Sequence, residues 1–305
     1  TPDTLFQIAS LSKLLTGVVT NSLIRTGELD AEAPIATYLG PVLGEQMSGG
    51  LESITTQHLL NHKAGIENDD CSLYAKRQEG EAWLDGYSRA QLLTDLRKLS
   101  LPKGAAADFS YSSCGYALVG LIDEIVSDQK FAALLNERVT AKYDMPDTQV
   151  ELATDQESRL ATPYRKDDRR VPTQASDMGM GTPASAVYSS TRDLARLLAA
   201  QLAAYREYAA SGEETDLILS QQTVQGHREE LRFGTGIIEL THEEGTIYLH
   251  DGDADGFASL YAFAPEQDVG IVMLTGSGGD IFVETGLELL ALMMASENAA
   301  NKSKM

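Results

Sequence analysis

The feature that most constrains the fold is a change of period late in the chain. Residues 231 to 275 carry four runs, "LRFGTGIIELT", "GTIYLH", "FASLYAFAP" and "DVGIVMLT". All are short, rich in β-branched and aromatic residues, and separated by glycine, proline or acidic turns. That pattern predicts an antiparallel meander. A final helix over about 281 to 296 is placed to cover one face of the sheet. Most of what precedes the meander has helical spacing, and nowhere do strands and helices alternate. The expectation is an α+β architecture, an antiparallel sheet flanked by helices beside a mostly helical lobe, rather than a doubly wound sheet.

The helical part can be divided further. From Ser10 to about Arg25, Leu11, Leu14, Leu15, Val18, Val19 and Leu23 follow helical spacing, and Gly27 supplies a stop. "ELDAEAPIATYLG" reads as a loop with short turns. "TTQHLLNHKAG" reads as a short helix with a threonine start and a glycine stop. Residues 89 to 99, 113 to 127 and 130 to 140 are further helix candidates. Between about 150 and 185 no period survives, and Pro163, Pro172 and Pro183 mark a long ordered loop. Helix returns in "STRDLARLLAAQLAAYREYAA", where Ser190 or Thr191 can cap and Asp193 occupies the favourable first turn. With 305 residues and 43% hydrophobic content, the chain is expected to form one domain over 1–305. Its helix-rich lobe spans about 30–185 and its sheet lobe about 1–29 and 186–305.

Charge and cysteine content narrow the function classes. A net charge of -21, from 45 acidic against 24 basic residues, repels phosphate backbones and anionic membrane surfaces, so nucleic-acid binding is a poor fit. No apolar run reaches the ~18 residues of a membrane span, and no signal-peptide pattern precedes the predicted fold. Carboxylates gather in "IENDD", "SGEETD" and "HEEG", a surface compatible with an ordinary acidic protein or with salt adaptation. Cys71 and Cys114 are too few for a disulfide framework and lack zinc-site spacing, and Cys114, at an apolar helix start, is expected to be a small core residue.

The chemistry-bearing residues are spread along the chain. Ser10 and Lys13 stand in an S-x-x-K arrangement at the start of a helix, where residues three apart share a face and the amine can reach the hydroxyl. A serine hydroxyl attacks only when something takes its proton, and a lysine kept neutral by burial can do so. The start of that helix also offers backbone N–H groups to a developing oxyanion. Tyr111 precedes an apolar helix, where its phenol can enter a cleft. His250 ends a predicted strand, and Gly252 in the following turn permits close approach of backbone. Asp251 is poorly placed to orient His250, since adjacent side chains on a strand point to opposite faces. His58 and His62 have chelating spacing, but no glutamate accompanies them as in H-E-x-x-H, and no metal is expected. The glycines of "GTGIIE" and "GSGGD" lack the strand-then-helix context of a dinucleotide site. Asp253 and Asp255 read as solvated turn residues.

Taken in order, these motifs resemble the serine β-lactamase and penicillin-binding-protein superfamily, in its class C-like branch. "FQIASLSKLLTG" looks like that branch's nucleophile helix, and "TTQHLLNHKAGI" is similar to T-x-x-H-L-L-x-H-x-S-G-[IL]. "YSS" stands for Y-x-[N/S], "YDMPDT" for L-G-M-x-D-T, and "YSSTRDLARLL" for S-T-x-x-D-L-x-[RK]. "LHDGDADGFAS" is similar to H-x-G-x-x-x-G-F-x-S. The likeness runs from about residue 5 to 275. It implies Ser10 as the acylated nucleophile and Lys13 as its proton acceptor. Tyr111 would share the proton traffic, and His250 would take the lysine's place in K-T-G. The backbone N–H groups of Ser10 and Asp253 would form an oxyanion hole beside Gly252 and Ser113. No cofactor is implied, and the partner is a small-molecule or peptide substrate in a periplasmic or secreted setting. Ser113 in place of asparagine and His250 in place of a cation favour a D-amino-acid peptidase, carboxypeptidase-like enzyme or esterase over a β-lactamase; a catalytically silent scaffold is the remaining reading. Only nine residues precede Ser10, where the resemblance implies a helix and two strands: either the chain is a fragment, or the family's N-terminal strands are missing and a partner strand or self-association is expected at the exposed sheet edge.

Overall fold

The computed structural model describes residues 1–44, 49–75, 86–99, 108–221, 224–225, 231–254 and 256–303. The meander forms as expected. Strands β3 (Val224–Gln225), β4 (Leu231–Phe233), β5 (Ile238–His242), β6 (Gly245–Ala254), β7 (Phe257–Ala264) and β8 (Val269–Thr275) make a six-stranded antiparallel sheet in sequence order. β1 (Leu5–Gln7) and β2 (Tyr188–Ser190) pair separately, so the start of the chain is tied to the end of the long loop region. All eight residues of β7 are buried because helices cover both faces. The C-terminal helix, Asp280–Lys302, is longer than the sequence suggested and packs on β7 and β8. β8 is one edge of the described sheet, β3 being the other, and each of the seven residues of β8 is partly exposed.

Helix α1 (Ser12–Thr26) is the centre of the molecule. Every residue from Ser12 to Leu23 is buried, so its polar side chains must find internal partners. Thr16 donates to the Pro183 carbonyl at 2.7 Å, Thr20 Oγ1 lies 2.8 Å from Asp123 Oδ2, and Asn21 donates to the Asp216 carbonyl at 3.0 Å. Gly236, at φ +70°, lets the turn after β4 lie across α1, where a Cβ would fall 2.1 Å from the Lys13 carbonyl oxygen. Leucines and valines of α1 join the main apolar core with Tyr116, Leu118 and Leu121 of α3 (Ser113–Ser127), while β6, β7 and the C-terminal helix enclose a smaller second core.

Several local expectations need correction. A helix, Ala36–Leu43, begins inside "ELDAEAPIATYLG" and continues past it, accommodating Pro41. Helix α2 (Thr56–Leu60) begins at Thr55 as expected but stops before Gly65, because His62 itself takes the left-handed conformation at φ 58°. The candidate at 130–140 is a short helix, Phe131–Leu135, continued by a π turn over Asn136–Thr140. Ser190, rather than Thr191, caps the helix Thr191–Ser211 by accepting from Asp193 N. Cys71 and Cys114 form a disulfide, so Cys114 is not a free core thiol.

Candidate active site

Ser10 lies in a 3-10 turn, Ala9–Leu11, that leads directly into α1. Its position is fixed from three sides. Ile8 N donates to the Val187 carbonyl at 2.9 Å, Ser259 Oγ donates to the Ile8 carbonyl at 2.7 Å, and Val187 N donates to Ser12 Oγ at 3.1 Å. Ser12 is therefore occupied as a structural acceptor, and Ser10 is the serine left for chemistry. Ala9 adopts φ 49°, a left-handed conformation disfavoured for a residue with a Cβ. Strain of this kind persists where the surroundings over-determine the backbone, and here it adjoins the reactive hydroxyl.

The lysine amine is the hub. Lys13 is 0% exposed. Its Nζ lies 3.1 Å from Ser10 Oγ, 3.0 Å from Ser113 Oγ and 2.9 Å from the Ala184 carbonyl oxygen. Burial pulls its pKa from 10.5 down to about 7, against the opposing pull of the Asp251 carboxylate. The contacts suit a neutral amine. The carbonyl only accepts, whereas the two hydroxyls both donate and accept. A neutral Nζ can give one hydrogen to Ala184 O and one to Ser113 Oγ, leaving its lone pair for the Ser10 hydroxyl hydrogen. Ser113 thus serves the lysine; the reach to substrate that an asparagine would have is not what this hydroxyl supplies.

Tyr111 stands over the same amine, with Lys13 Nζ 4.9 Å from its ring centre. Burial raises its phenol pKa above the ordinary value, and hydrogen bonding with Ser10 opposes that rise. His250 faces the site from β6, its ring centre 6.5 Å from that of Tyr111. His250 Nδ1 is 2.6 Å from the Asp251 carbonyl oxygen, which can only accept, so Nδ1 carries the proton and Nε2 keeps a lone pair. Burial holds the imidazole neutral by pushing its pKa below the ordinary 6.5, and the Asp251 carboxylate opposes this. The sequence argument against a triad therefore stands, but Asp251 still orients His250 through its main chain.

Gly252 passes hard against the nucleophile turn. A Cβ there would fall 2.4 Å from the Ile8 carbonyl oxygen, 2.5 Å from Ser259 Oγ and 2.9 Å from Ser10 N. Only glycine allows β6 to run this close, which brings the main chain around Asp253 toward the Ser10 N–H. Asp253 lies in strand β6 rather than in a turn, and its side chain, exposed as expected, pairs with Lys166. Asp255 lies outside the described residues. The structure thus gathers Ser10, Lys13, Tyr111, Ser113, His250 and Gly252 around one point.

Other contributors were not foreseen. Asn68, inside the acidic run "IENDD", accepts from Ser113 N at 2.7 Å and Cys114 N at 3.4 Å. Together with the Cys71–Cys114 disulfide it fastens the segment 67–75 to the start of α3. Burial raises the Tyr74 phenol, opposed by hydrogen bonding with Ser185 and Ser113. The two histidines of α2 and its end do separate work. His58 Nδ1 accepts from Thr55 N in a capping box, while His62 Nδ1 accepts from Ser112 N. Among the described residues no group of three or more His, Cys, Asp or Glu side chains is arranged to hold a metal, and no helix is long and apolar enough to cross a membrane.

Comparison with known proteins places the family and the fold. The chain resembles the protein named flp of Staphylococcus aureus (strain N315), 24% identical over 274 residues, covering 90% of this chain and 53% of the relative. It therefore spans about half the length of that curated relative. It also resembles a β-lactamase of Providencia stuartii, 23% identical over 301 residues, with 89% of this chain and 73% of the relative covered. Among solved structures, a class C β-lactamase mutant superposes with a TM-score of 0.78 at 19% identity, covering 97% of this chain and 84% of that one. A D-stereospecific amidohydrolase from Streptomyces sp. superposes with a TM-score of 0.72 at 18% identity, covering 90% and 82%. At these identities the superpositions establish the fold. The family model described as Beta-lactamase matches residues 1–291, and the chain belongs to that family of serine hydrolases.

Proposed function

We propose that the protein hydrolyses an amide or ester through an acyl-enzyme on Ser10, acting as a D-amino-acid peptidase, a carboxypeptidase-like enzyme or an esterase. The observation that carries this reading is the Lys13 amine, fully buried, with a pKa near neutrality and 3.1 Å from Ser10 Oγ. Lys13 takes the Ser10 proton as Oγ attacks the substrate carbonyl. The Ser10 and Asp253 N–H groups receive the oxyanion; one such donor is commonly worth ~10²–10³ in turnover. Tyr111 passes a proton to the leaving group, and water then attacks the acyl carbonyl to free Ser10. A neutral His250 offers no cation to a β-lactam carboxylate, which favours a peptide or ester substrate.

The likeness to class C β-lactamases supports a second reading, a true β-lactamase. Intact mass after exposure to a fluorescent penicillin and to an activated ester tests both. A Ser10 adduct that disappears in Ser10→Ala is the expected result. Rapid nitrocefin turnover with no persistent adduct would favour the β-lactamase, and no adduct from either probe in a folded sample would leave a silent scaffold.

A further inference from the structure

We propose that His62 is a positioning residue for Tyr111, a role that rests on the reading of Tyr111 as a proton carrier. Three observations converge on it. The main-chain oxygen of His62 accepts from Ser110 N at 2.9 Å and its Nδ1 accepts from Ser112 N at 3.1 Å, so one residue holds the amides on both sides of Tyr111. Its ring lies against the phenol, with centres 4.5 Å apart and planes tilted by 33°. Finally, the backbone takes φ 58° at a buried position where a helix end ordinarily uses glycine, which lacks the Cβ penalty of histidine.

The imidazole state follows from its partners. A backbone N–H only donates, so Nδ1 is the unprotonated nitrogen and Nε2 carries the hydrogen. Burial pushes the pKa well below the ordinary value, and Lys13 and His250, in their protonated forms, act in the same direction. Tyr116 from α3, Phe109 and Phe233 complete an aromatic wall around the ring, with centres 5.2, 5.8 and 6.0 Å away. A neutral, walled imidazole does not itself exchange protons with substrate. It sets the height and tilt of the phenol above Lys13 and Ser10, and a misplacement of about 1 Å at such a group costs on the order of 10² in rate.

The test is a double-mutant cycle with Tyr111→Phe, read by stopped-flow acylation with p-nitrophenyl acetate, together with 19F NMR of 3-fluorotyrosine-labelled protein. His62→Ala is expected to lower kcat about a hundredfold with KM changed less than about threefold. His62→Asn keeps a left-handed-tolerant residue and an acceptor for Ser112 N, and is expected to recover about tenfold of that loss. On the Tyr111→Phe background either change is expected to cost less than about twofold, because coupled residues are not additive. The resonance assigned to Tyr111 by its absence in Tyr111→Phe should shift in His62→Ala and return toward its place in His62→Asn. If His62→Ala does not fold, His62→Asn carries the same cycle alone. Additive losses, equal rates or an unmoved Tyr111 resonance would overturn the proposal. If the wild-type protein is not acylated at all, the proposed function fails, and the resonance still decides whether His62 places Tyr111.

Discussion

The Lys13 amine permits one prediction with a definite sign and size. Its pKa falls from 10.5 to about 7 on folding because a group with no exposure cannot hold its charge cheaply. Below pH 7 the lysine is protonated in both folded and unfolded chains. Between 7 and 10.5 the unfolded chain holds a proton that the folded one lacks, so Lys13's contribution makes stability rise with pH by about 1.4 kcal/mol per pH unit. The full swing is roughly 5 kcal/mol, complete above the unfolded value. Lys13→Met removes this slope. It also strips partners from Ala184 O, Ser10 Oγ and Ser113 Oγ, so its absolute cost mixes several terms, and the slope of the difference is the diagnostic quantity. Urea titrations of both proteins from pH 6 to 10 give that difference, in which ionisations that do not sense Lys13 cancel. Acylation by an activated ester should rise about tenfold per pH unit below 7 and level off above it. A flat stability difference, or an acylation inflection above pH 9, would refute a neutral-lysine base.

Three further outcomes are expected. Asp123, buried beneath α1 beside Thr20, has its carboxyl pushed up to about 8 by burial, so its contribution to stability is present below pH 3.8 and is lost as pH rises through 8. Asp123→Asn should therefore match the wild type in chemical denaturation at pH 4 and exceed it by roughly 2 kcal/mol or more at pH 9. Reducing Cys71–Cys114, which closes a separation of 43 residues, should cost roughly 4 kcal/mol on the chain-entropy account and slow acylation by freeing Ser113, read by calorimetry and by intact mass with and without reductant. Gly252→Ala should leave the sheet folded by circular dichroism yet reduce acylation at least about a hundredfold, because the new methyl group displaces the Ser10 turn from β6.

How much of this was legible in the sequence follows from how each residue acts. The meander was readable because β-branched runs and turn residues repeat locally, and α1 because its leucines and valines share a period. Ser10, Lys13, Tyr111 and His250 were found through ordered motifs, since chemistry confines those residue types. Asn68 was hidden because it works by an amide oxygen on the backbone of Ser113, and nothing in "IENDD" separates that role from a solvated acidic turn. The disulfide was missed because pairing depends on the return of segment 67–75 to the start of α3, a tertiary fact. In the sequence His62 pairs with His58 at a chelating spacing. The stop of α2 at Leu60 and the left-handed turn at His62 break the helical geometry that the four-residue spacing assumed.

The charge state of the site bears on its substrate. Lys13, His62, Tyr111 and His250 each carry a pKa moved by burial toward the neutral form. The carboxylate that acts on both Lys13 and His250 is Asp251, whose carbonyl also fixes the His250 tautomer. Such a dry, neutral setting strengthens every dipole aimed at a developing oxyanion. It also makes an anionic group costly to bring beside Ser10 wherever a cation does not repay the desolvation. Lys166 stands at the site end of β6, next to Gly252, where the Asp253 carboxylate already engages it. A β-lactam presents a carboxylate near its reacting carbonyl, whereas an ester or an internal peptide amide presents none. Within the proposed reading, the same burial that makes Lys13 a base therefore argues for an ester or an internal peptide amide, uncharged around the scissile bond, ahead of a carboxypeptidase-like substrate whose terminal carboxylate would meet the same cost as that of a β-lactam.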